Sequence, residues 1–233
     1  MAISRGQLVK ELEPGLNALF GLEYKRYENQ HLEIFDVETS DRAFEEEVML
    51  SGFANAEIKP EGSAVVFDNA QETFTSSHPT IAGSFSNTLA TQADLNETSL
   101  EQSLIDINAF TDERGLKIAA QGVKLIIPKE LQFTAERLMK SALRTGTADN
   151  DTNAIRSMGM VPQGYVVNNF LTDTDAFFIK TDVPNGMKMF VRAPIKTAME
   201  GDFDTGNVRY KARERYSFGW SDPRGIFGSQ GSA

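Results

Sequence analysis

Between Asn207 and Trp220 the sequence alternates: Val208, Tyr210, Ala212, Tyr216, Phe218 and Trp220 share one side, interrupted only by Glu214, and Arg209, Lys211, Arg213, Arg215 and Ser217 share the other. A two-residue period puts successive side chains on opposite faces of an extended chain, so this stretch is predicted to be one strand. Ordinary strands run about five or six residues at roughly 3.3 Å each. This one is long enough to be the backbone of an elongated domain, and it carries a basic face in a chain whose net charge is −10.

Other elements follow from local signals. Thr98-Ser99-Leu100-Glu101 fits a capping box, Leu100, Leu104, Ile107 and Thr111 fall on one face, and Gly115 sits where a helix would stop, predicting a helix over 98–115. Val123-Lys124-Leu125-Ile126-Ile127 before Pro128 predicts a buried strand followed by a helix start. That helix carries Leu131, Ala135, Leu138 and Ala142 on one stripe, with Gly146 beyond its end, and the pair forms a small α/β unit. Val161 to Phe170 and Ala176 to Lys180 are predicted strands, and Pro184-Asn185-Gly186 supplies a turn before Met187 to Arg192, a hairpin signal. Ser76 to Asn96 reads as irregular loop, anchored only by Ile81, Phe85, Leu89 and Leu95.

The first third of the chain is different. An amphipathic stretch, Gln7 to Leu12, meets Pro14 and Gly15, and from Tyr24 to Ser40 polar residues alternate with Leu32, Ile34 and Val37. This suits an extended arm lying on another surface better than a self-contained core. Two extended stretches, Phe44 to Lys59 and Ser63 to Phe74, meet at Pro60-Glu61-Gly62, predicting a long hairpin. Its apolar residues, Phe53, Ile58, Val65, Val66 and Phe67, are thin for its length, so it is expected either to project and pack on a neighbour or to be an ordinary surface hairpin.

Chemistry is constrained by what residues are present. The 233 residues include no cysteine and two histidines, which removes disulfides, thiolate ligands and cysteine nucleophiles. His31 lies in the arm-like segment and His78 precedes Pro79 in a loop, positions that suit neither for a triad. No phosphate-cradling Gly-x-x-x-x-Gly-Lys motif and no Gly-x-Ser-x-Gly elbow occurs. Asp149, Asp151 and Asn153 open like a calcium loop, but Ala154 replaces the glycine and Met160 the closing glutamate. Asp173 and Asp175 form an Asp-x-Asp pair without further ligands, which reads as a surface turn. No catalytic residue, metal or cofactor is expected. No apolar run reaches the roughly 20 residues of a membrane helix, and Met1 to Lys10 has no secretory pattern, so intracellular folding is expected.

Glu45-Glu46-Glu47 is an acidic run and Arg209 to Arg215 a basic one. Placed on separate elements of identical subunits, they would attract across an interface. Two solvated faces is the ordinary alternative, and packaged nucleic acid against the basic face is a third reading.

Taken in order, the sequence resembles the major capsid proteins of tailed bacteriophages with the Hong Kong ninety-seven fold. The resemblance rests on Ile58-Lys59-Pro60-Glu61-Gly62, His78-Pro79-Thr80 with Ser86-Asn87, the helix from Thr98, and Val123 to Pro128. It continues through Leu143 to Asp151, Met199 to Gly206 and Arg213 to Arg224. It implies an α+β fold with an N-terminal arm (1–40), an extended hairpin loop (41–77), a peripheral part with the helix (78–122), an axial domain (123–181) and peripheral return strands with a tail (182–233). The long spine helix of the family is missing at about Ser76 to His78, because nothing between Phe74 and Asn96 has helical period. It also implies a virion protein, assembled in the host bacterial cytoplasm into hexamers and pentamers of an icosahedral head around double-stranded DNA. Expected partners are identical subunits, with scaffolding, portal and decoration proteins and no membrane. Candidate intersubunit contacts are Glu45, Glu46, Glu47, Ile58, Lys59, Pro60, Glu61, Arg209, Lys211, Arg213 and Arg215. A nanocompartment shell of the same fold, enclosing enzymes, and a small-molecule enzyme on an unrelated α+β fold are the alternatives.

Overall fold

A computed structural model of the chain describes residues 30–39, 74–144, 151–201 and 208–231. The stretch Gln7 to Leu12, the run Glu45-Glu46-Glu47 and the turn at Ile58-Lys59-Pro60-Glu61 lie outside the described residues. In chain order the elements are β1 (Asp36–Thr39), β2 (His78–Thr80), β3 (Gly83–Phe85), α1 (Glu97–Asn108), β4 (Gly122–Ile127), α2 (Gln132–Lys140), α3 (Ala154–Met158), β5 (Tyr165–Val167), β6 (Phe177–Thr181), β7 (Met187–Gly201), β8 (Val208–Trp220) and β9 (Ile226–Ser229). The fold class is α+β, as expected.

The body is built on a four-stranded sheet of order β5-β4-β6-β9. β4 and β5 are parallel, with α2 and α3 in the crossover, while β6 runs antiparallel to both β4 and β9. Alternation sorts side chains to two faces. Leu125, Ile127, Phe177, Ile179 and Phe227 face the helices and pack with Leu100, Leu104 and Ile107 of α1, Ala135 and Leu138 of α2, and Ile155 of α3. The opposite face presents Ile126 and Ile226, covered by Ile34 with Phe35, Phe74 and Phe178 around them. Burial on both faces explains why β4 ends in three successive apolar residues rather than alternating. Each fully buried Phe or Ile here contributes about 2–3 kcal/mol. β9 lies in the same sheet as the strands of 123–181, so hydrogen bonding crosses the boundary expected at 182.

Several boundaries differ from the sequence reading. α1 stops at Asn108, and its capping box is made by Asn96 and Ser99, two residues before Thr98 and Glu101. Gly115, at φ +83°, serves a tight loop instead, in which the Asp112 carboxylate accepts the amides of Arg114 and Leu116, both at 2.8 Å. The strand expected over Val161 to Phe170 shrinks to three residues. Gly164 takes φ +68° before it, and after it the Asn168 side chain turns the chain by accepting the Phe170 amide at 2.9 Å. His78 is not in a loop; it opens β2, which pairs with β3, and it is buried.

The largest difference concerns β7. It runs 15 residues, Met187–Gly201, and pairs antiparallel with β8 from Met187↔Trp220 to Gly201↔Val208, rather than closing a hairpin on the preceding strand. Pro194, which cannot donate to a ladder, lies inside the strand. The register shifts between Val191 and Ala193 and again between Ala193 and Lys196, and these irregularities accommodate it. β1 adds a short parallel edge, with Asp36 opposite Lys188 and Thr39 opposite Val191.

Candidate assembly surface

The β7–β8 ribbon leaves the body almost bare. From Val191 to Glu200 and from Tyr210 to Trp220 no side chain is buried. Its register collects the cations on one face: Lys196 stands opposite Arg213, Ala198 opposite Lys211, and Arg215 follows on the same side. Lys196, Lys211, Arg213 and Arg215 are exposed. Arg209 continues the row opposite Glu200 along the backbone. Lys196 was missed by the sequence reading, because the strand was ended before it; its alternation with Ile195 and Thr197 was the available signal.

The opposite face of the ribbon carries Met189, Val191, Ile195, Met199, Tyr210, Tyr216 and Phe218. Among the described residues its near end is covered: Phe35 packs against Phe218 at 4.8 Å and His31 meets the same ring edge-on at 5.7 Å. Tyr216 remains 52 % and Phe218 42 % exposed. Tyr216 and Phe218 leave this face partly open, and contiguous apolar surface is tolerated poorly unless something covers it.

The end of the expected arm, by contrast, lies on its own body. Ile34 is buried against Ile126 and Ile226. Lys124 pairs with Glu33, Lys180 reaches Asp36 at 2.7 Å, and Lys188 reaches Glu38 at 3.2 Å. The bond from Lys124 holds the Glu33 carboxyl below its ordinary range. For residues 30–39 the covering surface is thus this chain's own sheet, a correction to the expectation that the arm needs another.

The foot of the ribbon is clamped by close packing. A Cβ on Gly225 would fall 2.3 Å from Gly186 Cα, and one on Gly186 would fall 2.8 Å from Gly225 Cα. The Asp222 amide and the Ser221 hydroxyl both donate to Asn185 O at 2.8 Å. Beside this contact the Arg224 guanidinium is buried, donating to Thr111 O at 2.7 Å, to Asp222 at 3.3 Å and to Glu113 at 3.5 Å, with its face over the Phe85 ring. A 430 Å³ depression there is lined by Asp112, Glu113, Asp182 and Asp222 around Arg224. Its one cation is satisfied by neighbouring oxygens, so the depression is a structural seam.

Other residues weighed in the sequence take structural places. Asn153 caps α3 by accepting the Arg156 amide at 3.2 Å and donates to Leu138 O at 2.7 Å, which uses its oxygen and its amide on the chain itself. Asp175 N donates to Asp173 at 3.3 Å in an exposed turn. Asp149 lies outside the described residues. Among the described residues no three metal-capable side chains converge.

A helix-and-sheet body thus carries a long ribbon, basic on one face and half-open and apolar on the other. The chain belongs to the family of phage capsid proteins, which matches it over residues 49–228. Solved structures similar to it include Mycobacterium phage Che8, at 19 % identity over 63 % of this chain and 54 % of that one, TM-score 0.38. The capsid of Myoviridae phage XM1 is similar at 11 % identity over 61 % and 48 %, TM-score 0.40. The virus-like particle from Pyrococcus furiosus is similar at 12 % identity over 61 % and 55 %, TM-score 0.38. The chain spans about half the length of each of these structures. No curated protein matches it.

Proposed function

We propose that this protein is the major capsid subunit of a phage head, self-assembling into hexamers and pentamers of an icosahedral shell around double-stranded DNA, and that it is not an enzyme. The observation that carries this reading is the ribbon, along which no described side chain from Val191 to Glu200 or from Tyr210 to Trp220 is buried. Heterologous contacts between identical subunits close into rings when the rotation allows, which is how one surface can generate both ring sizes. In this reading residues 1–40 form the arm, 41–77 the extended hairpin, 123–181 the axial domain, and 78–122 with 182–233 the peripheral domain. Assembly takes place in the host bacterial cytoplasm with scaffolding, portal and decoration proteins as further partners.

The basic row, Arg209, Lys211, Arg213 and Arg215, meets the acidic run Glu45, Glu46 and Glu47 of a neighbouring copy, and the hairpin turn Ile58, Lys59, Pro60 and Glu61 packs beside it. Complementary charge of this kind sets encounter rate and register more than final affinity. The test is assembly of the full chain, with any required assembly factor supplied, followed by sedimentation and negative-stain microscopy. Lys211→Glu with Arg213→Glu should stop or slow shell formation, and Glu45→Lys with Glu46→Lys in the same chain should restore part of it. Shells forming at the native rate in the first variant would overturn the assigned interface. A native chain that stays a solitary particle under these conditions would overturn the function.

A further inference from the structure

His78 is 2 % exposed at the junction of four elements. Asn87 fixes its protonation. The Asn87 amide donates to Pro223 O at 3.1 Å and Ile226 O at 3.3 Å, so its oxygen must face the other way, where it accepts the Thr75 amide at 3.0 Å and His78 Nε2 at 3.1 Å. An amide oxygen cannot donate, so Nε2 carries the hydrogen and Nδ1 is left with a lone pair. Nδ1 is buried and has no hydrogen-bond partner. Protonation would put a new N–H there with no acceptor, inside a packed seam.

The surroundings make that charge costlier. Phe85 of β3 lies 6.0 Å from the imidazole and Trp220, the last residue of β8, meets it edge-on at 6.2 Å. The charged groups that face it are Arg224 and Asp222, from the turn before β9; Arg224 opposes a second cation and Asp222 favours one. Glu113 stands beyond Arg224, paired with it. Burial first, and Arg224 with it, hold the imidazole below its ordinary value, against the smaller opposing pull of Asn87 and Asp222.

We propose that His78 is an acid-release latch: neutral, it locks β2 and β3 to the end of β8 and to β9, and its protonation frees the foot of the ribbon. The sign follows from linkage. The unfolded chain binds this proton more readily than the folded one, so the latch is at full strength above about pH 6.5 and weakens as pH falls below that value toward the depressed folded one. Within that window a single such site raises the unfolding constant by up to about tenfold for each pH unit.

Trp220 is the chain's single tryptophan, so its fluorescence reports this junction directly. Urea unfolding of the full unassembled chain at pH 7.5, 6.5 and 5.5 should show the unfolding constant rising by up to about fivefold between the last two. In His78→Gln, which keeps a donor for Asn87, the rise should vanish; an unchanged rise in that variant overturns the proposal. Should His78→Gln not fold, His31→Gln leaves His78 as the one imidazole, and its ring signals can be followed by NMR. They should stay those of the neutral Nε2–H form below pH 6.5 and change only together with Trp220 emission. Free titration near the ordinary value with no change in Trp220 would overturn it equally.

Discussion

Replacing Gly225 with alanine puts a Cβ 2.3 Å from Gly186 Cα, where carbon atoms normally approach to about 3.5–4.0 Å. Neither glycine has a positive φ, so the requirement is for space and not for a backbone conformation that only glycine adopts. The obstacle is backbone on both sides, and no rotamer change can relieve it. Forcing the two segments apart costs about 3 kcal/mol, the upper part of the range for overpacking a filled interior. It also strains the bonds that Asp222 and Ser221 make to Asn185 O, which adds about 1 kcal/mol. Together, about 4 kcal/mol is a large fraction of the stability of an ordinary domain and should lower Tm by roughly 8–16 °C. Urea and thermal unfolding followed by Trp220 would measure it, with Gly159→Ala as the control. That glycine has φ +63° and nothing within 4 Å of its would-be Cβ, so its loss should cost about 1 kcal/mol through backbone strain alone. A Gly225→Ala loss no larger than the control's would refute the reasoning that close packing clamps the ribbon.

Asn87→Ala should lower stability by about 3 kcal/mol or more in urea titration, because it strands the Thr75 amide, His78 Nε2 and two carbonyls in a buried seam. Asn96→Ala removes the cap that accepts the Ser99 amide at 2.8 Å and should cost about 1 kcal/mol by the same measurement. Ile34→Ala should cost about 2 kcal/mol and raise proteolytic cleavage near residues 30–39, since Ile34 is the buried anchor of that segment. The Glu33 tether stabilises above the ordinary carboxylate value, near pH 4.3, and is lost as pH falls from there through its lowered folded-state value. Glu33→Gln should therefore remove a small acid-dependent loss below about pH 4.3, visible in low-salt urea titration and worth well under 1 kcal/mol for so exposed a pair.

Features set by local period were legible in the sequence. The stripe Leu100, Leu104 and Ile107 is the buried face of α1, Leu125 to Ile127 is the central strand, and Val208 to Trp220 is a single strand with its cations on one side. What depended on distant residues was not. Gly115 looked like a helix stop, but Asn96 had already set the start of α1 earlier and the chain turned on Asp112. His78 looked like a loop residue because Asn87 and the distant stretch from Trp220 to Arg224, which surround it, are not announced by any local pattern. β7 continues past Arg192 and through Pro194, and no local pattern announces the register shifts that let a strand pass through proline. Ile34 looked like part of an arm seeking another chain, while the strands that cover it, β4 and β9, lie far along the sequence.

The clamp between Gly186 and Gly225 sits at one end of a strand pair that reaches about 40 Å, taking roughly 3.3 Å for each residue of β8. A rigid rod pivoting there through about 5° sweeps its tip by roughly 3.5 Å, close to the spacing of one residue along a strand. A clamp this close therefore holds the far end to within one register step, because even a slight yielding at the foot would be magnified along the whole length of the rod.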